Sequence, residues 1–173
     1  MRETEIIKEV GEAIISWSLF NENYTVDRLD AKGIDIAAYS NNKKNEKFGI
    51  SVKTRNVESN ENNSIVLNQK DLIYTDEEAK LRELTPAFAF VVTSLKRIDI
   101  LIVTYTYSFE NGFAKGTCYE NGDEVSDFIK RCKAADKCSK SVPISDKVRE
   151  NWKNFEVGDG VIGVYSFERK LEK

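Results

Sequence analysis

KFGISVKTR, residues 47–55, is the stretch from which the rest of the chain can be read. Phe48, Ile50 and Val52 alternate with Lys47, Gly49, Ser51 and Lys53, the period of two that marks a strand with one apolar face. Ser51 and Lys53 share the other face. A lysine this close to a core-forming strand is either a guard on a solvated edge or a group held to meet a phosphate.

Upstream, IDIAAYS (34–40) reads as a partner strand, and the polar NNKKNE (41–46) as the hairpin loop between the two. YTVDRLD (24–30) is a further short strand, turned by AKG, so three consecutive strands form a meander. Before them, Ile6, Val10, Ala13, Trp17 and Phe20 recur at alternating steps of four and three. That spacing predicts an amphipathic helix over 3–21 whose apolar stripe is these five residues. Downstream, VESNENNS (57–64) is polar and turn-rich, a loop. QKDLIYTDEEAKLREL (69–84) is a helix, with a break expected near Thr75, and it stops before Pro86.

AFAFVVTS (87–94) is apolar on both parities, the mark of a strand covered on both faces, and DILIVTYTY (99–107) is a strand beside it. NGFAKGTCYENGD (111–123) is a loop or short hairpin. DEVSDFIKRCKAAD (123–136) is a helix with Asp123 or Ser126 as its cap. ISDKVRENWKNF (144–155) is another, with Asp146 in its first turn. VIGVYSFER (161–169) is a last strand after the turn GDG. Tyr105, Tyr107 and Trp152 read as core, and the glycines of VGDGVIGV as turn residues. A meander flanked by helices on both sides predicts a three-layer α/β/α sandwich around a central mixed sheet. No repeat and no Pro/Gly/Ser-rich linker interrupts it, so residues 1–173 are expected to form one domain.

Composition narrows the chemistry. The chain has 173 residues, 40% of them hydrophobic and 32% charged, the proportions of a globular domain. It has no histidine, which removes histidine bases, Ser-His-Asp and Cys-His machinery and histidine-bound metals. Three cysteines, Cys118, Cys132 and Cys138, lack a metal-knuckle spacing and are expected as free thiols. No segment has the apolar length of a membrane span or signal peptide, so a cytoplasmic location without membrane contact is expected. A net charge of −3 argues against a globally basic nucleic-acid binder. Basic residues nevertheless gather in two segments, Lys43, Lys44, Lys47, Lys53 and Arg55 in the first, and Lys130, Arg131, Lys133, Lys137 and Lys140 in the second.

Asp35 lies in the strand that pairs with the Lys53 strand, and Glu12 lies off the expected apolar stripe of the first helix. An acid from a helix, an acid from one strand and a lysine from the next would converge. Two carboxylates suit a hard divalent cation, and a lysine beside it is placed to orient or activate water. Over residues 5–95 this order resembles the PD-(D/E)xK nuclease superfamily, the restriction-endonuclease-like fold, in its Holliday-junction-resolvase and Mrr-like branch. The resemblance rests on the GEAIISWSLFNENYTV helix-strand, on KGIDIAAYS with its acid, and on ISVKTR.

The resemblance implies a Mg²⁺- or Mn²⁺-dependent endonuclease that hydrolyses phosphodiester bonds of nucleic acid, DNA first, in repair or in restriction and defence. Glu12, Asp35, Ser51 and Lys53 would be its catalytic positions. Asp35, the Val52 carbonyl and Glu12, directly or through water, would hold the metal. Lys43, Lys44, Lys47 and Arg55 would grip the nucleic-acid backbone. Cutting two strands takes two sites, so a homodimer is expected. One position departs: Ser51 stands where the family carries Asp or Glu, and a hydroxyl is a poorer Mg²⁺ ligand. An acid from the following helix, Asp71, Glu77 or Glu78, would then complete the set, with Asp71 best placed. Otherwise the domain binds nucleic acid or protein without cutting.

Overall fold

The computed structural model describes residues 2–58, 63–111, 115–116 and 124–169. Helix α1 (Glu3–Asn21) leads into the antiparallel meander β1 (Tyr24–Arg28), β2 (Ile36–Ser40) and β3 (Lys47–Asn56). After β4 (Ser64–Asn68), α2 (Gln69–Leu81) returns the chain to β5 (Thr85–Thr93), which pairs in parallel with β3. β6 (Arg97–Thr104), α3 (Tyr105–Glu110), β7 (Lys115–Gly116), α4 (Val125–Ala134), β8 (Ser139–Pro143), α5 (Asp146–Trp152) and β9 (Val161–Glu168) follow. The main sheet runs β1-β2-β3-β5-β6-β9 and is mixed; β4, β8 and β7 form a second, three-stranded sheet. The architecture is the expected α/β/α sandwich.

One face of the main sheet packs Ile36, Ile50, Val52, Ala89, Val91, Ile100 and Ile102 against Ile15 and Leu19 of α1. The opposite face packs Phe88, Phe90, Leu101 and Val103 against Leu72 of α2, Tyr105 and Phe109 of α3, Phe128 of α4, and Trp152 of α5. β5 is therefore buried on both faces, as its continuous apolar run requires. The sheet curls around α1, which contacts β1 at one edge while Trp17 meets Phe167 on β9 at the other, ring centroids 5.8 Å apart. Among the described residues no helix is long and apolar enough to cross a membrane.

The face that α1 buries is not the expected one. Gly11, Glu12, Ile15, Ser18 and Leu19 point into the protein, while Ile6, Val10, Ala13, Trp17 and Phe20 are all exposed. The two sets lie on opposite sides of the helix at 100° per residue, and the small residues explain the choice. A Cβ on Gly11 would sit 1.9 Å from Thr54 Oγ1 of β3, so only glycine lets the helix come this close.

Other expectations change for tertiary reasons. β4 and β8 are strands because they pair with each other, Ile65 opposite Val142, across 77 residues of sequence that local pattern does not link. The TYTY run leaves the sheet at Thr104, whose hydroxyl accepts from the Tyr107 amide and caps α3. Tyr105 is still core. α2 is unbroken at Thr75, whose hydroxyl donates to the Gly33 carbonyl. α4 is capped at Glu124; Ser126 lies inside the helix and Asp123 lies outside the described residues. Most of the expected 111–123 loop, including Cys118, also lies outside them. Cys132 and Cys138 are joined by a disulfide rather than free, because the turn after α4 brings their Cα atoms to 5.5 Å. Gly158 and Gly160 take positive φ, as turn residues do, whereas Gly163 lies within β9.

Two positions test this packing. Gly33 has φ +95°, and a Cβ there would meet the Tyr74 backbone at 2.4 Å. Gly33→Ala is expected to lower stability by about 2–4 kcal/mol, read as the denaturant midpoint, because neither the positive φ nor a backbone clash is relieved by side-chain rotation. Lys140 is 1% exposed with its ammonium over the Phe109 ring. Burial lowers its pKa to about 7. The unfolded chain therefore binds the extra proton between about pH 7 and the ordinary lysine range, so this group's contribution to stability rises as pH rises through that window. Lys140→Met is expected to be more stable than wild type at pH 7, with a gap that narrows by pH 9.5 in thermal melts.

Candidate functional site

The site lies where β2 and β3 part company. Their ladder ends with Ile36 opposite Ile50, and the Asp35 amide donates to the Ile50 carbonyl at 2.9 Å. Beyond that point the Asp35 carboxylate replaces a strand partner: Oδ2 accepts from the Val52 amide at 2.7 Å. The chain bends here, since Ile34 packs toward α2 and Ile36 toward α1, rather than both lying on one face as alternation predicts. In a strand the carbonyl of a residue leaves on the same edge as its amide, so the Val52 carbonyl lies on the open edge of β3.

The other oxygen, Asp35 Oδ1, meets Lys8 Nζ of α1 at 3.1 Å, and the same ammonium lies 3.4 Å from Glu12 Oε1. Glu12 Oε2 accepts from Arg28 of β1 at 2.5 Å. Glu12 is only 8% exposed, at the margin of the buried face of α1, which is why a carboxylate on this helix reaches the sheet. Burial pulls the Lys8 ammonium down, but Asp35 and Glu12 outweigh it, and its pKa lies above the ordinary lysine value. The Arg28 guanidinium is likewise raised, chiefly by its hydrogen bond to Glu12.

Lys53 turns to the other helix. Its Nζ donates to Asp71 Oδ1 at 2.6 Å. Asp71 is fixed for this by the start of α2: Oδ2 accepts from the Asn68 amide, while the Asn68 side chain accepts from the Asp71 amide. That reciprocal cap leaves one carboxylate oxygen for the lysine. Of the three acids considered on α2, Asp71 alone faces the site; Glu77 pairs with Lys133 and Glu78 with Arg82. Ser51 is 2% exposed and packed, so a carboxylate in its place would be buried.

From Ser51 onward β3 has no strand on its β2 side, and a groove runs along this open edge. It is lined by Lys8, Lys53, Thr54 and Arg55, with Thr4 and Ile7 of α1 and Ile65 and Val66 of β4. Three cations and no acid line it. Lys8 and the opening beside Ile65 carried no signal in the sequence: the lysine stands among the glutamates of a charged helix start, as a solvated residue would, and the groove wall is a strand that only pairing with β8 creates. Lys43, Lys44 and Lys47 lie elsewhere, at the hairpin end of β3, with Lys53 roughly 20 Å further along the strand. Lys43 pairs with Glu46 and Lys47 with Glu83. In the second basic segment, Lys130 pairs with Asp127.

Among the described residues no three His, Cys, Asp or Glu side chains are grouped to hold a metal. Two carboxylates, however, face one cation: the Lys8 ammonium, on a side chain that is 61% exposed, stands between Glu12 and Asp35. A hard divalent ion taking that place would find two carboxylates and the Val52 carbonyl, a donor set that suits Mg²⁺ or Mn²⁺.

No family model matches the chain, and no curated protein matches it. Among solved structures it is similar to a Holliday junction resolvase, Hjc, of the archaeal hyperthermophile Archaeoglobus fulgidus. The identity is 10%, the match covers 83% of this chain and 87% of that one, and the TM-score is 0.46.

The two oxygens of Asp35 do different work, and substitution separates them. Asp35→Asn keeps an acceptor for the Val52 amide and is expected to change stability by less than about 1 kcal/mol. Asp35→Ala leaves that amide unpaired and is expected to cost about 1–3 kcal/mol, measured by chemical denaturation.

Proposed function

We propose that this chain is a divalent-metal-dependent phosphodiesterase acting on nucleic acid, with DNA as the first substrate to test, in repair or in defence against foreign DNA. The observation that carries the reading is the Lys8 ammonium between Glu12 and Asp35 at the head of a groove lined by Lys8, Lys53 and Arg55. A place for a cation beside a channel for an anion is what phosphodiester hydrolysis requires. Glu12, Asp35 and the Val52 carbonyl would hold Mg²⁺ or Mn²⁺, which would polarise the phosphate and lower the pKa of a bound water.

The chain's own residues supply the rest. Lys53, steadied by Asp71, donates from Nζ to the attacking water or to a phosphate oxygen and balances the charge that develops there. Asp71 acts through Lys53 and so replaces, in position though not in role, the acid missing at residue 51. Arg55 and Lys8 hold flanking phosphates, and Arg28 orients Glu12 through its hydrogen bond to Oε2. Lys43, Lys44 and Lys47 would meet only a substrate long enough to reach the hairpin end of the sheet.

A second reading has its own observation in its favour. Ser51 is buried, and among the described residues no third carboxylate joins Glu12 and Asp35, so the groove would bind nucleic acid without cutting it. Plasmid nicking with Mg²⁺ or Mn²⁺ separates the two. Hydrolysis that requires metal and falls at least 100-fold in both Lys53→Ala and Asp35→Asn is expected. DNA bound but left intact with both metals would move the protein to the binding class, and cleavage surviving both substitutions would place the chemistry elsewhere. In either class, affinity is expected to fall with salt at a log–log slope of about −2 to −3, the release expected for three phosphate contacts. A slope near zero would remove the groove from consideration.

A further inference from the structure

The residues expected to bury α1 are instead its exposed face, and they form a continuous stripe. Ile6 is 48% exposed, Val10 45%, Trp17 57% and Phe20 70%, and Phe167 of β9, which touches Trp17, is 36% exposed. Against full side-chain areas of roughly 200 Å² each, these fractions leave on the order of 500 Å² of apolar surface. That is at the upper end for the largest patch on a monomer.

The pattern within the stripe indicates what covers it. Steps of four, three, four and three give the 3.5-residue repeat of a two-helix seam, not the broader stripe of a helix lying on a sheet. A seam of that width suits a helix as the element that covers it. The stripe is also graded in size: Ile6 and Val10 at one end, Ala13 in the middle, Trp17 and Phe20 at the other. Two copies packed parallel would set Trp17 on Trp17 and Phe20 on Phe20 and wedge the axes apart. Packed antiparallel about a two-fold axis at Ala13, Ile6 faces Phe20 and Val10 faces Trp17, large against small over about 21 Å of helix. Such an isologous contact uses one surface twice, as a two-fold dimer must. With the polar rims of α1 and β9 added, the face approaches the about 800 Å² per partner of a standard interface.

We infer that the exposed stripe of α1 is a self-association surface, and that two copies pair through antiparallel α1 helices crossing at Ala13. The candidate site lies on the other side of the same helix, through Lys8 and Glu12, so each copy keeps its groove open. The inference stands on the exposed stripe alone and does not depend on the proposed activity.

Sedimentation of the full chain tests it. A dimer at tens of micromolar is expected, with Trp17→Lys and Phe20→Lys each weakening association at least tenfold. Both side chains are exposed in the isolated chain, so the melting temperature of the monomeric variants should stay close to that of wild type at low concentration. Orientation is read by cross-linking: Ala13→Cys is expected to form an interchain disulfide under mild oxidation, and Trp17→Cys is not. A chain that stays monomeric at 100 µM, or a dimer that survives Trp17→Lys, overturns the surface. Cross-linking through residue 17 in preference to residue 13 overturns the antiparallel pairing.

Discussion

Everything at the candidate site depends on one hydrogen bond, from the Val52 amide to Asp35 Oδ2 at 2.7 Å. Where β2 stops, β3 would present an unpaired amide; the carboxylate takes it, and in doing so fixes its own position. Because the partner is a side chain and not a strand, the remaining length of β3 keeps one edge open. The groove, the projection of the Val52 carbonyl and the access to Lys53 all follow from that ending. Gly33, in a conformation closed to other residues and bonded through its carbonyl to Thr75, sets the path by which the chain reaches Asp35.

The charges around this ending form two cells. On the α1 side, Lys8 and Arg28 balance Glu12 and Asp35; on the α2 side, Lys53 balances Asp71. The two cells differ in how readily they open. Lys8 is 61% exposed, whereas the Lys53–Asp71 pair is three-quarters or more covered and tied to a helix cap. An incoming cation would therefore meet little resistance between Glu12 and Asp35, while Lys53 stays oriented. A different use of charge appears across the sheet, where Asp99 and Arg149 are each 3% exposed and share contacts with Arg97 and Asp146. There the ions are enclosed and hold α5 to β6, a role in which removing one partner costs more than the pair contributes.

Helix α1 connects these features. Its glycine at position 11 brings it down on Thr54, its margin delivers Lys8 and Glu12 to the strand ending, and its outer side carries an apolar seam. Such a helix is apolar on two sides, a composition that suits a helix placed between layers. Here one layer is the curled sheet, and a second copy is the inferred other.

The sequence by itself determined the elements whose residues speak locally: the alternation of β3, the doubly covered β5, the meander, and the order in which Glu12, Asp35 and Lys53 occur. It also offered three acids of the following helix, Asp71 first, to complete the set of metal ligands; that Asp71 instead meets the Lys53 ammonium is a tertiary contact. What only tertiary structure decided was which of two apolar faces α1 buries, that β4 and β8 exist, that the run after Thr104 coils into α3, that Cys132 reaches Cys138, and that Lys8 sits between the two acids. Each of these depends on a contact between residues distant in the chain or on space left by a glycine. Periodicity records which side chains a segment offers; it carries no information on which of them a neighbour will meet, because that is set by how closely two backbones can approach.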